Sequence, residues 1–351
     1  MRIVLDAMGG DHAPVNTVTG AVLALQEYSK ITRLFLTGDE ALLRAELRKH
    51  QFNDPRLEII HTTQIVEMSD QAVEAVRRKK DSSISRAVDL VKKKEADAVV
   101  SAGHTGAAVA ATTIKLRTLE GIDRPGIATY FPTEKGFCVL IDAGANLDAR
   151  PEHLLQYAIM GSVLSEYILG YKNPSIGLMS IGSEDIKGSG FTKETFKLLK
   201  ASSLNFRGNV EGHDLFENPV DVVLCDGFTG NVVLKTAEAT ASFLVHTLKN
   251  EIKKTPFSLA GAWLARGAFR TIRNKLNPDI HGGSPLVGIK GTCIIAHGSS
   301  SAMAIKNAIR VATDFIEQGV NPRIVEALRE YGSASQSQFA AGSSQLAENL
   351  K

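Results

Sequence analysis

Short apolar runs alternate with longer amphipathic stretches along most of the chain. Runs of this length predict β-strands, and the stretches between them have the periodicity of helices. The predicted strands are 2–6, 33–37, 57–60, 98–101, 137–141, 176–181, 220–224 and 292–296. Helices follow most of them, for example at 15–28, 151–169 and 229–249. Several strands are apolar on both faces, which predicts an α/β fold with a mostly parallel sheet and helices on both faces.

No internal repeat or low-complexity linker interrupts this pattern. We therefore expect a single α/β unit over 1–331. Residues 332–351 are rich in Ser, Gln and Gly, and this composition predicts a flexible tail. The hydrophobic fraction of 44% is ordinary for a globular protein.

Charge, the first residues and the cysteines indicate which partners and which cellular compartment to expect. A formal net charge of +2 argues against a nucleic-acid binder that works by bulk charge, so we expect no nucleic-acid partner. The chain starts without the segments of a signal peptide, and no apolar run approaches the ~20 residues of a membrane span. Cys138, Cys225 and Cys293 stand far apart in apolar runs, which predicts reduced core cysteines in a cytoplasmic protein.

Six predicted strand ends share one design, in which glycines and small polar residues separate the strand from a helix. These loops are 6–14, 101–108, 142–146, 180–190, 225–231 and 297–302. Glycines let the backbone turn its N–H groups toward a ligand, and a helix start adds a partial positive charge. Because ligands of parallel sheets bind outside the carboxyl ends of the strands, we expect one shared anion-binding crevice. The alternative is that glycine only makes the turns.

Known nucleotide and metal signatures are missing from these loops. The sequence contains no GxxxxGK[ST], no GxGxxG after the first strand and no HExxH. Its histidines show no helical spacing for a shared metal. We therefore predict a small anion as ligand, with no metal and no cofactor.

Two residues are candidates for a catalytic role. Lys187 lies between glycines just before a predicted helix, where its charge can stabilise an anion or a developing oxyanion. It can equally be a solvated lysine paired with Glu184 or Asp185. Asn231 can donate a hydrogen bond to a carbonyl oxygen, or it can only cap its helix.

Other polar residues of the loops leave several roles open. We favour a structural role for Asp6, whereas Asp11 is left open as a loop-holding group or a proton acceptor. His104 and His297 end strands and can serve as bases, but a lone histidine is more often a hydrogen-bonded loop residue.

Residues 256–277 predict an amphipathic basic helix. Its apolar stripe is Ala265, Phe269, Ile272 and Leu276, and its basic stripe is Arg266, Arg270 and Arg273. Such a helix suits an anionic membrane surface or an acidic partner. It can also pack in a dimer interface or on the core. A second basic cluster, 77–80, is either a solvated face or a docking patch for an acidic protein.

The loops also match a known family. The blocks DAMGGDHAP, RRKKDSSI, SAGHTGA, GIDRPGIA, DAGANLDARPEHLLQYAIMGS, SIGSEDIKG, DVVLCDGFTGNVVLKT and AHGSSSAMAIKNAIR follow one another over nearly the whole chain. They closely resemble the bacterial phosphate acyltransferases of phospholipid synthesis. The resemblance implies a fold like the isocitrate/isopropylmalate dehydrogenase group, related to phosphotransacetylase.

The resemblance also implies the reaction and the partners. Members move a fatty acyl group from acyl carrier protein to inorganic phosphate, and a membrane glycerol-3-phosphate acyltransferase uses the acyl phosphate. They are homodimers that associate peripherally with the membrane, here through 256–277. Direct attack by phosphate needs no covalent intermediate, so the loops need only hold phosphate and stabilise the acyl oxygen.

The predicted site follows from these two tasks. Lys187 and Asn231 are the predicted catalytic residues. The predicted substrate-binding residues are Asp11, Gly103, His104, Thr105, Gly106, Asn146, Ser183, Gly188, Gly227, Thr229, Gly230 and His297. The family pattern has Asn at the position of His104, so His104 is expected to form hydrogen bonds near the anion without acting as a base.

Two other functions remain as rivals. A nicotinamide-dependent decarboxylating dehydrogenase would share the fold, but it would need metal-binding aspartates and a cofactor loop. A non-enzymatic membrane scaffold would use the basic helix alone.

Overall fold

The strands form one mixed sheet in the computed structural model, which describes residues 1–134, 136–217, 219–276 and 278–332. The described strands are β1 (Arg2–Asp6), β2 (Arg33–Gly38), β3 (Leu57–His61), β4 (Ala98–Ser101), β5 (Gly126–Pro132), β6 (Phe137–Ile141), β7 (Ile176–Met179), β8 (Phe206–Val210), β9 (Val222–Leu224), β10 (Ser284–Val287) and β11 (Thr292–Ile295). Their order across the sheet is β3-β2-β1-β4-β11-β10-β5-β6-β9-β7-β8.

Helices connect most of these strands. They are α1 (Val15–Glu27), α2 (Glu40–Lys49), α3 (Ala72–Arg78), α4 (Ser83–Lys92), α5 (Thr105–Leu116), α6 (Pro151–Tyr167), α7 (Gly190–Lys200), α8 (Asp214–Glu217), α9 (Gly227–Ile252), α10 (Pro256–Leu264), α11 (Arg266–Leu276), α12 (Pro278–His281) and α13 (Ala302–Glu317), followed by α14 over 320–332. Within this part of the chain, no helix combines the length and apolar character needed to cross a bilayer.

The sheet consists of two parallel blocks that run in opposite directions. Strands β3, β2, β1, β4 and β11 are parallel, as are β6, β9, β7 and β8. Between the blocks, β10 is antiparallel to β11 and to β5, and β5 is antiparallel to β6. The predicted mostly parallel sheet is confirmed, but the reversal in its centre was not predicted.

The core has one layer on each face of the sheet, because successive strand residues point to opposite faces. On one face, Ile3 and Leu5 pack with residues of α1 and α13, and the neighbouring cluster contains α6 and α7. On the other face, Val4 packs with α4 and α5. The cluster beside it includes Leu140 and the partly buried Leu234 of α9. The prediction of helices on both faces is confirmed.

The predicted helix over 256–277 is two helices, α10 and α11. Ala265 separates them, and its ψ of 8° ends the first. At the predicted start of the tail, residue 332 still lies in α14. The rest of that predicted tail, 333–351, lies outside the described residues.

Candidate functional site

The glycine-rich loops form two groups. The first loop group, 6–14, 101–108 and 297–302, follows β1, β4 and β11, and the second loop group, 142–146, 180–190 and 225–231, follows β6, β7 and β9. Because the two parallel blocks run in opposite directions, the groups leave the sheet in opposite directions. The expectation of one shared crevice assumed a parallel sheet throughout, and this assumption fails at the centre, where β10 and β5 reverse the strand direction.

Both loop groups nevertheless lie against the same hydrophobic cluster. This cluster contains Ala107 and Ala108 of α5 together with Ala143, and Ala145 and Leu234 pack against it. Alanine side chains are short, so helix and loop can approach closely along this alanine seam. The start of α5 and the loop after β6 therefore lie on one face of the sheet.

The first loop group is held by close backbone contacts. The Asp11 N–H donates to the Gly298 carbonyl oxygen over 2.8 Å. A Cβ atom at Gly9 would lie 2.7 Å from the Gly103 nitrogen and 2.7 Å from Asp6 Oδ2. Only glycine at position 9 permits this approach of the loops after β1 and β4.

Asp6 is the buried carboxyl group of the first loop group, with an exposed fraction of 3%. The Ser101 hydroxyl donates to its Oδ2 over 2.7 Å, and the Gly103 N–H donates to Ser101 Oγ over 3.1 Å. Its Oδ1 is buried and accepts no well-formed hydrogen bond. Burial raises the pKa of Asp6, and the nearby hydroxyl groups of Ser83 and Ser101 oppose this rise.

His104 is the N-cap of α5. Its Nδ1 accepts a hydrogen bond from the Ala107 N–H over 3.3 Å. Thr105 and Gly106 are the next two residues and form the first turn of α5. Their backbone N–H groups belong to the unpaired donors of a helix start, which favour an anion.

His297 is engaged within its own loop. Its Nδ1 accepts the Ser299 N–H over 3.2 Å and lies 2.8 Å from the Ser299 hydroxyl. Ser301 then caps α13 by accepting the Ala304 N–H. Both histidines thus make local hydrogen bonds in the described structure.

Asp142 shapes the second loop group, and the sequence analysis missed it. Its carboxylate accepts the N–H groups of Ile127 (2.9 Å), Gly144 (3.0 Å), Ala145 (2.9 Å) and Asn146 (2.7 Å). Burial raises the pKa of Asp142, while these backbone donors oppose the rise. An aspartate directly before Ala-Gly-Ala is the signal for such a loop, because Asp readily binds backbone N–H groups that follow it.

Asn146 joins the loop after β6 to two helices. Its Nδ2 donates to the Tyr157 hydroxyl over 3.1 Å and lies 3.2 Å from His153 Nδ1, both on α6. Its carbonyl oxygen accepts the N–H of Gly227 at the start of α9 over 2.9 Å. The predicted ligand Asn146 therefore directs its amide group at α6.

The start of α9 is capped by Asp226, which accepts the Thr229 N–H over 2.9 Å and the Thr229 hydroxyl over 2.7 Å. Asn231 lies in the second turn, so the alternative that Asn231 caps this helix is wrong. Its side chain is exposed and lies beside Gly144, where a Cβ atom would be 3.5 Å from Asn231 Cβ.

Lys187 projects from the loop between β7 and α7. Its backbone N–H donates to the Glu184 carbonyl oxygen over 3.0 Å, and the amide of Asn209 holds the same oxygen at 2.8 Å. Asp185 pairs with Lys200 at 2.8 Å. Lys187 is exposed and forms no ion pair with a described residue, so the alternative that Lys187 pairs with Glu184 or Asp185 is not observed.

The remaining predicted ligands differ in exposure. Ser183 is exposed in the Lys187 loop, whereas Gly227 and Gly230 are buried at the start of α9. Gly188 has a φ of 102°, a conformation that favours glycine.

One group of side chains among the described residues has the spacing of metal ligands. His213, Asp214 and Glu217 place their ligand atoms within 4.8 Å of one another beside α8. His213 and Glu217 are exposed, and exposed acidic groups often lie close together without a metal.

Comparison with known protein families gives a match over most of the chain. Residues 1–323 match the family model described as "Fatty acid synthesis protein". The chain is 52% identical to a phosphate acyltransferase of Akkermansia muciniphila over 339 residues, 95% of this chain and 97% of the relative. It is 47% identical to one of Geobacter sulfurreducens, with 97% and 98% covered.

Solved structures of lower identity share the fold. A phosphotransacetylase from Streptococcus pyogenes superimposes with a TM-score of 0.58 at 19% identity and covers 90% of this chain and 94% of its own. A branched-chain phosphotransacylase from Enterococcus faecalis gives a TM-score of 0.52 at 14% identity, with 90% and 100% covered. At this identity the likeness shows the fold alone, and it confirms the expected relation to phosphotransacetylase.

Proposed function

Because the chain belongs to the family of bacterial phosphate acyltransferases, we propose that it transfers a fatty acyl group from acyl carrier protein to inorganic phosphate by direct attack. The near full-length match to phosphate acyltransferases carries this proposal. A phosphate oxygen forms a bond to the thioester carbonyl carbon as the C–S bond breaks. The proton of hydrogen phosphate ends on the carrier thiol, so atoms and charges balance.

The state of the cysteines supports direct attack over a covalent enzyme intermediate. Cys138, Cys225 and Cys293 are all buried. Burial raises the pKa of Cys138 and of Cys293 to about 12, and that of Cys225 well above its usual value. A thiol needs its thiolate form and access to substrate to act as a nucleophile. None of the cysteines has either property.

We assign the phosphate to the first loop group and the acyl oxygen to the second. The start of α5 supplies backbone N–H groups near Gly103, which suits a small anion. Lys187 and Asn231 are exposed polar side chains of the second loop group and suit the oxyanion of the tetrahedral intermediate. Both loop groups pack on the same buried cluster, which supports an acyl thioester that meets phosphate between them.

The exposed helices after α9 support a membrane contact. Phe257 is 89% exposed, Leu264 77% and Trp263 63%. The Arg266 guanidinium lies 5.1 Å from the Trp263 ring centre. Apolar side chains flanked by cations suit an anionic lipid surface, where acyl phosphate would pass to a membrane glycerol-3-phosphate acyltransferase.

Exposed apolar residues on α9 support the homodimer. Phe243 is 67% exposed and Leu244 58%, with Val245 and Leu248 near half. Of the residues of α9, only Gly227 and Gly230 at its start are buried. A helix with this much exposed apolar surface is suited to packing against a second copy.

The proposal is tested by release of the carrier thiol. The pure protein is incubated with palmitoyl-[acyl carrier protein], with and without inorganic phosphate, and free thiol is followed over time. We expect release only with phosphate, together with acyl phosphate trapped as its hydroxamate. Release that ignores phosphate would contradict the proposal, and a nicotinamide absorbance change with hydroxy acids would favour the dehydrogenase instead.

A further inference from the structure

A small cavity lies beside Asp6 at the starts of α4 and α5. Its lining includes Asp6, Ser83, Ser101, Gly103 and His104. The free space is about 10 Å³, which is room for one water-sized group. One oxygen of a larger anion fits there, whereas a whole tetrahedral anion does not.

The lining is a buried carboxyl group among hydroxyl-bearing and apolar residues. Ser83 and Ser101 lie beside Asp6, and apolar residues such as Ile65, Val66 and Ile84 line the rest of the space. Asp6 Oδ2 is occupied by the Ser101 hydroxyl, so only Oδ1 remains without a well-formed hydrogen bond. A buried acceptor without a donor is costly, so this oxygen calls for a ligand that brings its own proton.

Hydrogen phosphate brings such a proton, and sulfate does not. At neutral pH, inorganic phosphate keeps one P–OH group, whereas sulfate is a fully deprotonated dianion of similar shape. A carboxylate repels an unprotonated anionic oxygen but accepts a hydrogen bond from a P–OH. In that pose the remaining phosphate oxygens would meet the unpaired N–H groups of Thr105 and Gly106 at the start of α5.

We propose that Asp6 selects phosphate over sulfate, because its free carboxylate oxygen accepts a hydrogen bond from the single P–OH arm that enters this cavity. The inference rests on the proposed function, since it places the phosphate in the first loop group.

The test compares three anions by isothermal titration calorimetry at pH 8, without acyl donor. Inorganic phosphate, arsenate and sulfate have similar shapes, but only phosphate and arsenate retain a proton. For the wild-type protein we expect phosphate and arsenate to bind alike, one per chain, and sulfate at least ~10-fold more weakly. Sulfate binding as tight as arsenate, or no binding of any of the three, would overturn the proposal.

The variant Asp6→Asn removes the selection, because its amide can donate to an unprotonated oxygen. We expect the ratio of phosphate to sulfate affinity to fall toward one. Asp221→Asn is the matched control, since Asp221 also accepts a serine hydroxyl, that of Ser175 over 2.7 Å, but lies just before β9 in the other parallel block. This control keeps the ratio of the wild-type protein. An unchanged ratio in folded Asp6→Asn would refute the role of Asp6.

Two features keep the result interpretable. If Asp6→Asn does not fold, as judged by circular dichroism, the wild-type comparison of arsenate with sulfate still decides the proposal. Failure of the proposed function is seen separately, as an absence of phosphate-dependent thiol release by the wild-type protein. If the protein prefers phosphate over sulfate but releases no thiol, the proposal for Asp6 stands and the proposed acyl transfer is contradicted.

Discussion

Lys187 occupies a loop that is fixed around it, while its side chain pairs with none of the residues that the structure describes. The Glu184 carbonyl oxygen anchors the loop to Asn209 and to the Lys187 backbone. The neighbouring Asp185 forms an ion pair with Lys200. A cation that has no internal partner and stands on an ordered loop is available to a substrate oxyanion.

Replacing this lysine tests that role. We expect Lys187→Ala to lower kcat by ~10²-fold or more, because one oxyanion-stabilising group has about this value. The measurement is phosphate-dependent release of the carrier thiol. Lys193→Ala is the matched control, since Lys193 is an exposed lysine of the adjacent α7 that forms no ion pair with a described residue. Near-normal turnover by Lys187→Ala would make Lys187 a surface residue.

For single residues, the sequence predicted which loop a residue lies in better than it predicted the residue's hydrogen-bond partners. Lys187 and the loop glycines lie after the ends of strands, as the pattern predicted. The four backbone donors on Asp142 and the free oxygen of Asp6 depend on how distant loops meet. A single sequence contains no direct record of those contacts, so the roles of both aspartates could not be predicted.

Among the elements, the start of α9 is the most tightly constrained. Gly230 lies in its first turn, where a Cβ atom would overlap the Asp142 carbonyl oxygen. Helix and loop are therefore in backbone contact, and this contact carries Asn231 next to Gly144. Only glycine allows it.

Gly230→Ala is expected to destabilise the protein by about 3 kcal/mol, the upper range for forcing an atom into a packed site. Urea unfolding at fixed protein concentration measures the change. Gly267→Ala in α11 is the control, because a Cβ atom there would have no neighbour within 4 Å, and a change below about 1 kcal/mol is expected. Equal stability of the two variants would mean that α9 can shift away from the loop at no cost.

Element types were predictable where the local pattern was strong. The predicted strands are all present, but β5, β8 and β10 were missed for local reasons. β10 contains Pro285, which argues against a strand in a sheet interior. β5 begins with glycine and ends with Pro132, and β8 includes Arg207 and Asn209 among its five residues. Pairing across the sheet overrides these local signals.

For the whole molecule, the exposed apolar side chains of α10 are the proposed membrane-contact surface. We expect the double variant Phe257→Glu and Leu264→Glu to bind phosphatidylglycerol vesicles at least ~10-fold more weakly, because two inserted side chains become charged. Vesicle flotation measures binding, and thiol release in the absence of vesicles should persist.

Leu42→Glu is the control for this experiment, because Leu42 is 50% exposed on α2, an amphipathic helix outside 256–277. It should bind vesicles as the wild-type protein does. Unchanged binding by the double variant would exclude α10 as the contact surface.

The central position of β10 and β11 has a consequence for how the chain is made. These strands come from residues 284–295, yet they lie between β4 and β5, which end at residues 101 and 132. During synthesis, the edges of β4 and β5 that face β11 and β10 therefore stay unpaired until nearly the whole chain has been made. Such long-range pairing slows folding and leaves strand edges open to other chains. Joining the two blocks into one sheet consequently depends on the last two strands. A chain that ends before residue 284 would contain two half-sheets with no strand to connect them.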